Sequence, residues 1–160
     1  MYIERALEPL VRRYSENFKI VAVTGPRQVG KTTMLKHLME EEAESGVDRV
    51  YVTLDNTAIL QTAKEDPALF LQRYRPPVLI DEIQKAPELL PYIKMIVDER
   101  DDCGSVWITG SQPLHLMKAV SESLAGRVGI VEMLGLSHSE VAGTPSEPYL
   151  PSADYFMRRV

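Results

Sequence analysis

Gly25, Gly30, Lys31 and Thr32 stand at the spacing G-x-x-x-x-G-K-[ST] within "GPRQVGKTT", the stretch from Gly25 to Thr33. Glycines let the backbone curl so that successive N–H groups face inward, and a helix start adds unpaired donors and about half a positive charge. A loop of this kind seats a polyphosphate. Lys31 would reach the β- and γ-phosphates, and the Thr32 hydroxyl would ligate Mg²⁺. Pro26, Arg27, Gln28, Val29 and Thr33 complete the loop. Arg27 and Gln28 fall on its variable positions and are expected to be exposed, the alternative being contact with a neighbouring element.

A phosphate seat alone hydrolyses nothing. A second metal-side carboxylate and a base are needed, and "PVLIDE" offers both at the end of an apolar run. Asp81 would hold Mg²⁺ through water, and Glu82 would orient and deprotonate the attacking water. A polar group sensing the γ-phosphate is expected from the strand between these two. "VWITGSQ" supplies Thr109, Ser111 and Gln112, of which Ser111 or Gln112 is favoured without a choice between them. In "SESLAGRV", Arg127 opens the last strand. As a finger on the transition state, in cis or on a neighbour's nucleotide, such an arginine is worth on the order of 10³ to 10⁵ in rate. Its plain alternative is a strand-edge salt bridge.

These residues need a scaffold that brings strand ends together. Short apolar runs alternate with amphipathic stretches, the pattern of strands joined by crossover helices. Strands are expected over Lys19–Thr24, Arg49–Leu54, Pro77–Asp81, Ser105–Gly110 and Arg127–Met133. They are apolar at consecutive positions, as strands covered on both faces should be. The spacing predicts helices over Thr32–Ser45, Glu88–Asp101 and Pro113–Leu124. Ile3, Leu7, Leu10, Val11 and Tyr14 form a further stripe, which Pro9 is expected to kink or split. "SHSE", Ser137 to Glu140, matches a capping box. Two parts are therefore expected: a core with its N-terminal helical segment over residues 1–143, and a proline-rich linker opening a further region over residues 144–160.

The 160 residues fit one domain that can bury a core without staples. Cys103 is the single cysteine, which leaves no zinc spacing and no disulfide framework and points to a reduced, cytoplasmic setting. No apolar run approaches the roughly 20 residues of a membrane helix. The net charge of −5 argues against a nucleic-acid footprint in this segment. His37, His115 and His138 form no catalytic constellation, and Trp107, inside an apolar strand, reads as core. "QKAPELL", directly after the acidic pair, is placed where a moving element could report nucleotide state.

Together, "GPRQVGKTT", "YVTLDN", "PVLIDEIQKAPELL", "ITGSQ" and "SESLAGRV" strongly resemble the N-terminal ATPase module of a widespread, poorly characterised group of prokaryotic AAA-type P-loop ATPases. The resemblance runs from about Tyr2 to Glu140. It implies a three-layer α/β/α fold with a parallel sheet of order 5-1-4-3-2, ATP and Mg²⁺ as ligands, and a C-terminal region of unknown function carrying the partner interface. By the same resemblance Gly25, Gly30, Lys31 and Thr32 are the Walker A residues, and Asp81 and Glu82 the Walker B residues. The leading expectation is Mg²⁺-dependent ATP hydrolysis, with self-association through Arg127. A nucleotide-dependent switch with little turnover is the alternative. A small-molecule kinase is a third reading, disfavoured by the paired acids.

Overall fold

The computed structural model describes residues 2–111, 120 and 122–144. Five parallel strands make one sheet: β1 (Ile20–Thr24), β2 (Val50–Thr53), β3 (Val78–Asp81), β4 (Val106–Gly110) and β5 (Val128–Glu132), in the order β2-β3-β4-β1-β5. Read from the other edge, this is the expected 5-1-4-3-2. β4 lies between the strand that leads into the phosphate loop and the strand that ends in the acidic pair. The register sets Thr24 beside Gly110 and Glu132, and Asp81 beside Thr53, so the polar strand ends share one edge.

β1, β3 and β4 are buried throughout because both faces are covered. Alternate residues feed two separate cores. Ile20, Ala22, Val78, Ile80, Val106 and Ile108 pack on one face with Phe70, Leu90 and Ile93. Val21, Val23, Leu79 and Trp107 pack on the other with Val11, Met34 and Leu38. The second core is roofed by α1 (Glu8–Asn17) and α2 (Lys31–Glu44), the first by α3 (Thr57–Glu65), α4 (Pro67–Arg73) and α5 (Leu89–Asp98). A last short helix, α6 (His138–Val141), carries both bonds of the capping box: Glu140 N–H to Ser137 Oγ and Ser137 N–H to the Glu140 carboxylate.

Two local features differ from the sequence reading, and two further expectations lie largely outside the described residues. Pro9 neither kinks nor splits a helix; α1 begins at Glu8, so the proline sits in the first turn, where a missing N–H costs nothing. Helices α3 and α4 were not foreseen. Asn56 caps α3 by accepting from the N–H groups of Ala58 and Ile59, and Asp66, ahead of Pro67, caps α4 through Leu69 N–H. Most of the helix expected over Pro113–Leu124 lies outside the described residues, although Val120 and Leu124 are buried in the core. The linker expected over residues 144–160 lies outside them too, apart from Thr144. Among the described residues, no helix is long and apolar enough to cross a membrane.

Candidate nucleotide site

The loop between β1 and α2 is built around two backbone positions that demand glycine. Gly25 has φ +139°, and a Cβ placed on it would lie 2.0 Å from Met133 O. The loop can pass beneath the end of β5 only without a side chain there. Gly30 has φ +93° and precedes α2 with no side-chain cap. The first helical bond runs from Met34 N–H to Gly30 O, so the N–H groups ahead of it are left for a ligand. Gln28 also adopts the left-handed region, at φ 63°. Pro26, Arg27 and Gln28 are exposed.

Lys31 is buried and folds back over this loop, its Nζ donating to Gly25 O at 3.0 Å and Pro26 O at 2.6 Å. Burial lowers its pKa, against the pull of Glu82 and Asp81. Thr32 Oγ1 donates to Asp81 Oδ1 at 2.8 Å, so the two expected metal ligands already touch. Asp81 takes two further hydroxyl donors, Thr109 on Oδ1 and Tyr51 on Oδ2 at 3.1 Å. Burial, then the Asp81 charge and hydrogen bond, push the Tyr51 phenol up to about 12, which keeps it a donor. The donor set suits a hard cation: a carboxylate and a hydroxyl at a helix start, oriented by neutral hydroxyl groups.

Glu82 occupies a strained backbone, φ 61° and ψ 44°, the left-handed region that costs a residue with a Cβ about 1–2 kcal/mol. Its N–H donates to Thr109 Oγ1 at 3.2 Å. Its carboxylate accepts from Ser111 Oγ at 3.1 Å and from Gln84 Nε2, and Gln84 Nε2 also reaches Ser111 Oγ at 3.0 Å. Of the three polar groups at the end of β4, Thr109 therefore serves Asp81 and Ser111 serves Glu82. Gln112 lies outside the described residues. Arg27, Lys31, Thr32, Asp55, Glu82 and Lys85 are among the groups lining one cavity of about 470 Å³.

Arg127 is not brought to this cavity. It directly precedes β5, at the end of the parallel sheet opposite the loop, and its guanidinium grips Asp98 at 2.5 and 3.0 Å. A finger on this chain's own phosphates is thereby corrected to an ion pair with the end of α5. Trp107 is core, donating to Ser15 Oγ at 3.0 Å beneath the Arg49 guanidinium.

Several groups at the site had escaped the sequence reading. Tyr51 and Gln84 act across strands, and only their place near strand ends hints at it. Arg5 is buried and holds three pieces at once: Nε on Glu140 at 3.0 Å, Nη1 on Val29 O at 2.8 Å and Nη2 on Leu134 O at 2.8 Å. Glu140 in turn accepts from Ala6 N–H and Ser137 N–H. Burial alone would raise the pKa of this carboxylate. The Ser137 and Ala6 backbone donors, Arg5 and the Ser137 hydroxyl outweigh it and hold the pKa at about 2.

The AAA domain family model AAA_14 matches residues 17–142. The chain belongs to this family. It is a nucleotide-binding module of the ATPase type. Two mycobacterial proteins, Uncharacterized protein Mb2031c of Mycobacterium bovis and Uncharacterized protein Rv2008c of Mycobacterium tuberculosis, are each 33% identical to it over 137 residues. That span covers 86% of this chain but only 30% of each relative's length. The fold is shared with the DnaC helicase loader (TM-score 0.53, 16% identity, 79% of this chain and 87% of that one). It is shared too with the P-loop NTPase domain of an E. coli sigma-54 transport activator (TM-score 0.53, 13% identity, 81% and 92%).

Proposed function

We propose that this AAA-family module binds ATP with Mg²⁺ and hydrolyses the β–γ bond. The observation that carries the reading is the convergence of Lys31 and Thr32 at the start of α2 with Asp81 and Glu82 at the end of β3, beside a loop whose N–H groups await an anion. Lys31 and the start of α2 would bind the phosphates. Thr32 and Asp81 would hold the metal, which when bound withdraws charge from the terminal phosphate. Glu82, steered by Ser111 and Gln84, would accept the proton of the attacking water.

A second cavity, of about 570 Å³, shares Gln28, Gly30 and Thr33 with the first and is walled by Tyr2, Arg5 and Leu136. We place the nucleoside there. Arg127 enters the proposal only as a residue offered to a second copy, which requires its Asp98 pair to open. The additional length of the mycobacterial relatives is where we place the partner-binding surface, and residues 144–160 are proposed as the link to it. A cytoplasmic setting accords with the single exposed cysteine, Cys103.

The test is phosphate release from Mg²⁺-ATP by the wild type and by Glu82→Gln. Removing a general base should slow release by about 10²- to 10⁴-fold while nucleotide binding persists. Equal release by both would rule Glu82 out. A phosphorylated small molecule in place of free phosphate would favour a kinase.

A further inference from the structure

On the reading that the phosphate cavity takes a nucleoside triphosphate, we infer that Lys85 reads the γ-phosphate and that Asp55 is the partner it leaves to do so. Among the described residues, the cations lining this cavity are Arg27, Lys31 and Lys85. Lys31 belongs to the loop that cradles the phosphates, and Arg27 is an exposed residue of the same loop. Arg127 is at the other end of the sheet. Lys85 therefore stands apart, as the one of these cations that approaches from the strand carrying the carboxylates.

Lys85 closes the 3₁₀ turn Ile83–Lys85, which starts directly after Glu82. Its Nζ pairs with Asp55, just past the end of β2, and both groups line the cavity. The pair is partly exposed, with side chains 36% and 62% accessible. An exposed pair of this kind contributes little to stability and is easily exchanged. A terminal phosphate offers Lys85 more negative charge than a single carboxylate, and three acceptor oxygens. The same phosphate repels Asp55. Exchange of the carboxylate for the phosphate is thus favoured on both sides of the pair.

The exchange has a built-in consequence for Glu82. Lys85 N–H donates to Glu82 O at 3.0 Å, and the middle residue of the turn, Gln84, holds the Glu82 carboxylate and Ser111 Oγ. Any pull on Lys85 is transmitted through the turn to Gln84 and Ser111, the two residues that position the base. Gln84 Oε1 is buried and has no hydrogen-bond partner among the described residues, an unmet acceptor that a rearranged turn could satisfy.

The experiment is calorimetric titration of Mg²⁺-ADP and of the β,γ-imido analogue of ATP into the wild type, Lys85→Ala, Lys85→Arg and Asp55→Asn. Lys85→Ala should weaken the triphosphate about tenfold or more, the loss of one charged contact, with ADP affinity unchanged. Lys85→Arg should restore most of the difference, and Asp55→Asn should tighten the triphosphate alone. An unchanged ratio of triphosphate to diphosphate affinity in Lys85→Ala, or equal weakening of both, overturns the assignment of Lys85. No selective gain in Asp55→Asn overturns that of Asp55. A folded wild type that binds neither nucleotide defeats the proposed function itself, and this inference with it.

Discussion

At the C-terminal edge of the sheet, charged and polar side chains turn towards a shared cavity; at the N-terminal edge, equally charged side chains are spent on the protein itself. Lys31, Asp81 and Glu82 occupy the first edge, with Glu82 in a strained backbone and Lys31 buried. Lys19, Arg49 and Arg127 occupy the second. Lys19 Nζ donates to Val97 O and Arg100 O at the end of α5, Arg49 takes Glu42 with two bonds, and Arg127 takes Asp98 with two. Residue type does not separate the two sets. Strand direction does, because in a parallel sheet helix starts and strand C-termini meet at one edge only.

The contrast can be broken from either side. The largest effect is expected at Gly25→Ala. A methyl group 2.0 Å from Met133 O must displace the loop or the end of β5, which should abolish Mg²⁺-ATP binding in calorimetry and cost about 1–3 kcal/mol in denaturant unfolding. Retained binding would mean that the loop geometry is not what seats the phosphate.

Next comes the clip that ties the N-terminal segment and Val29 to the chain after β5. The Glu140 carboxylate titrates at about 2 in the folded protein against an ordinary 4.5, so the folded state holds its proton less tightly than the unfolded chain does. The stability this gives is complete above about pH 4.5 and is lost as the pH falls through about 2. Glu140→Gln should therefore unfold more easily than wild type at neutral pH, by on the order of 3 kcal/mol, and the difference should close in acid. A gap that does not depend on pH would show that packing, not charge, is what the clip contributes.

The smallest effect is expected at Arg127→Ala, which should leave this chain's own nucleotide affinity unchanged in the same calorimetric assay. A marked loss would bring the two edges into contact in a way the fold does not provide for.

Much of this arrangement is legible in the chain. β1, β3 and β4 announce themselves as contiguous apolar runs, since burial on both faces removes the polar alternation that would otherwise blur them, whereas the edge strands β2 and β5 are apolar in sequence yet only partly buried. The phosphate loop and the acidic pair follow from short-range spacing, as does the capping box at Ser137–Glu140. Helices α3 and α4 were hidden because most of their residues are exposed and their apolar stripe is thin; the caps Asn56 and Asp66 were the available signals. Tyr51, Gln84 and Arg5 could not be found locally, because each acts on a group from another element. Arg127 is a different case: of the two readings the sequence left open, the strand-edge salt bridge is the one formed within this chain. Its position ahead of an apolar strand was visible, and a parallel sheet already assigns that position to the wrong edge.

A thermal melt with and without saturating Mg²⁺-ATP, on the wild type and on Lys31→Ala, tests the nucleotide site most directly. At a ligand concentration of about 100 times Kd the wild type should gain roughly 2.7 kcal/mol. For a domain of this size that is a rise in Tm of about 5 to 10 °C. The account predicts this rise in the wild type and its loss in Lys31→Ala. No rise in a folded wild type, or an equal rise in the variant, would contradict it.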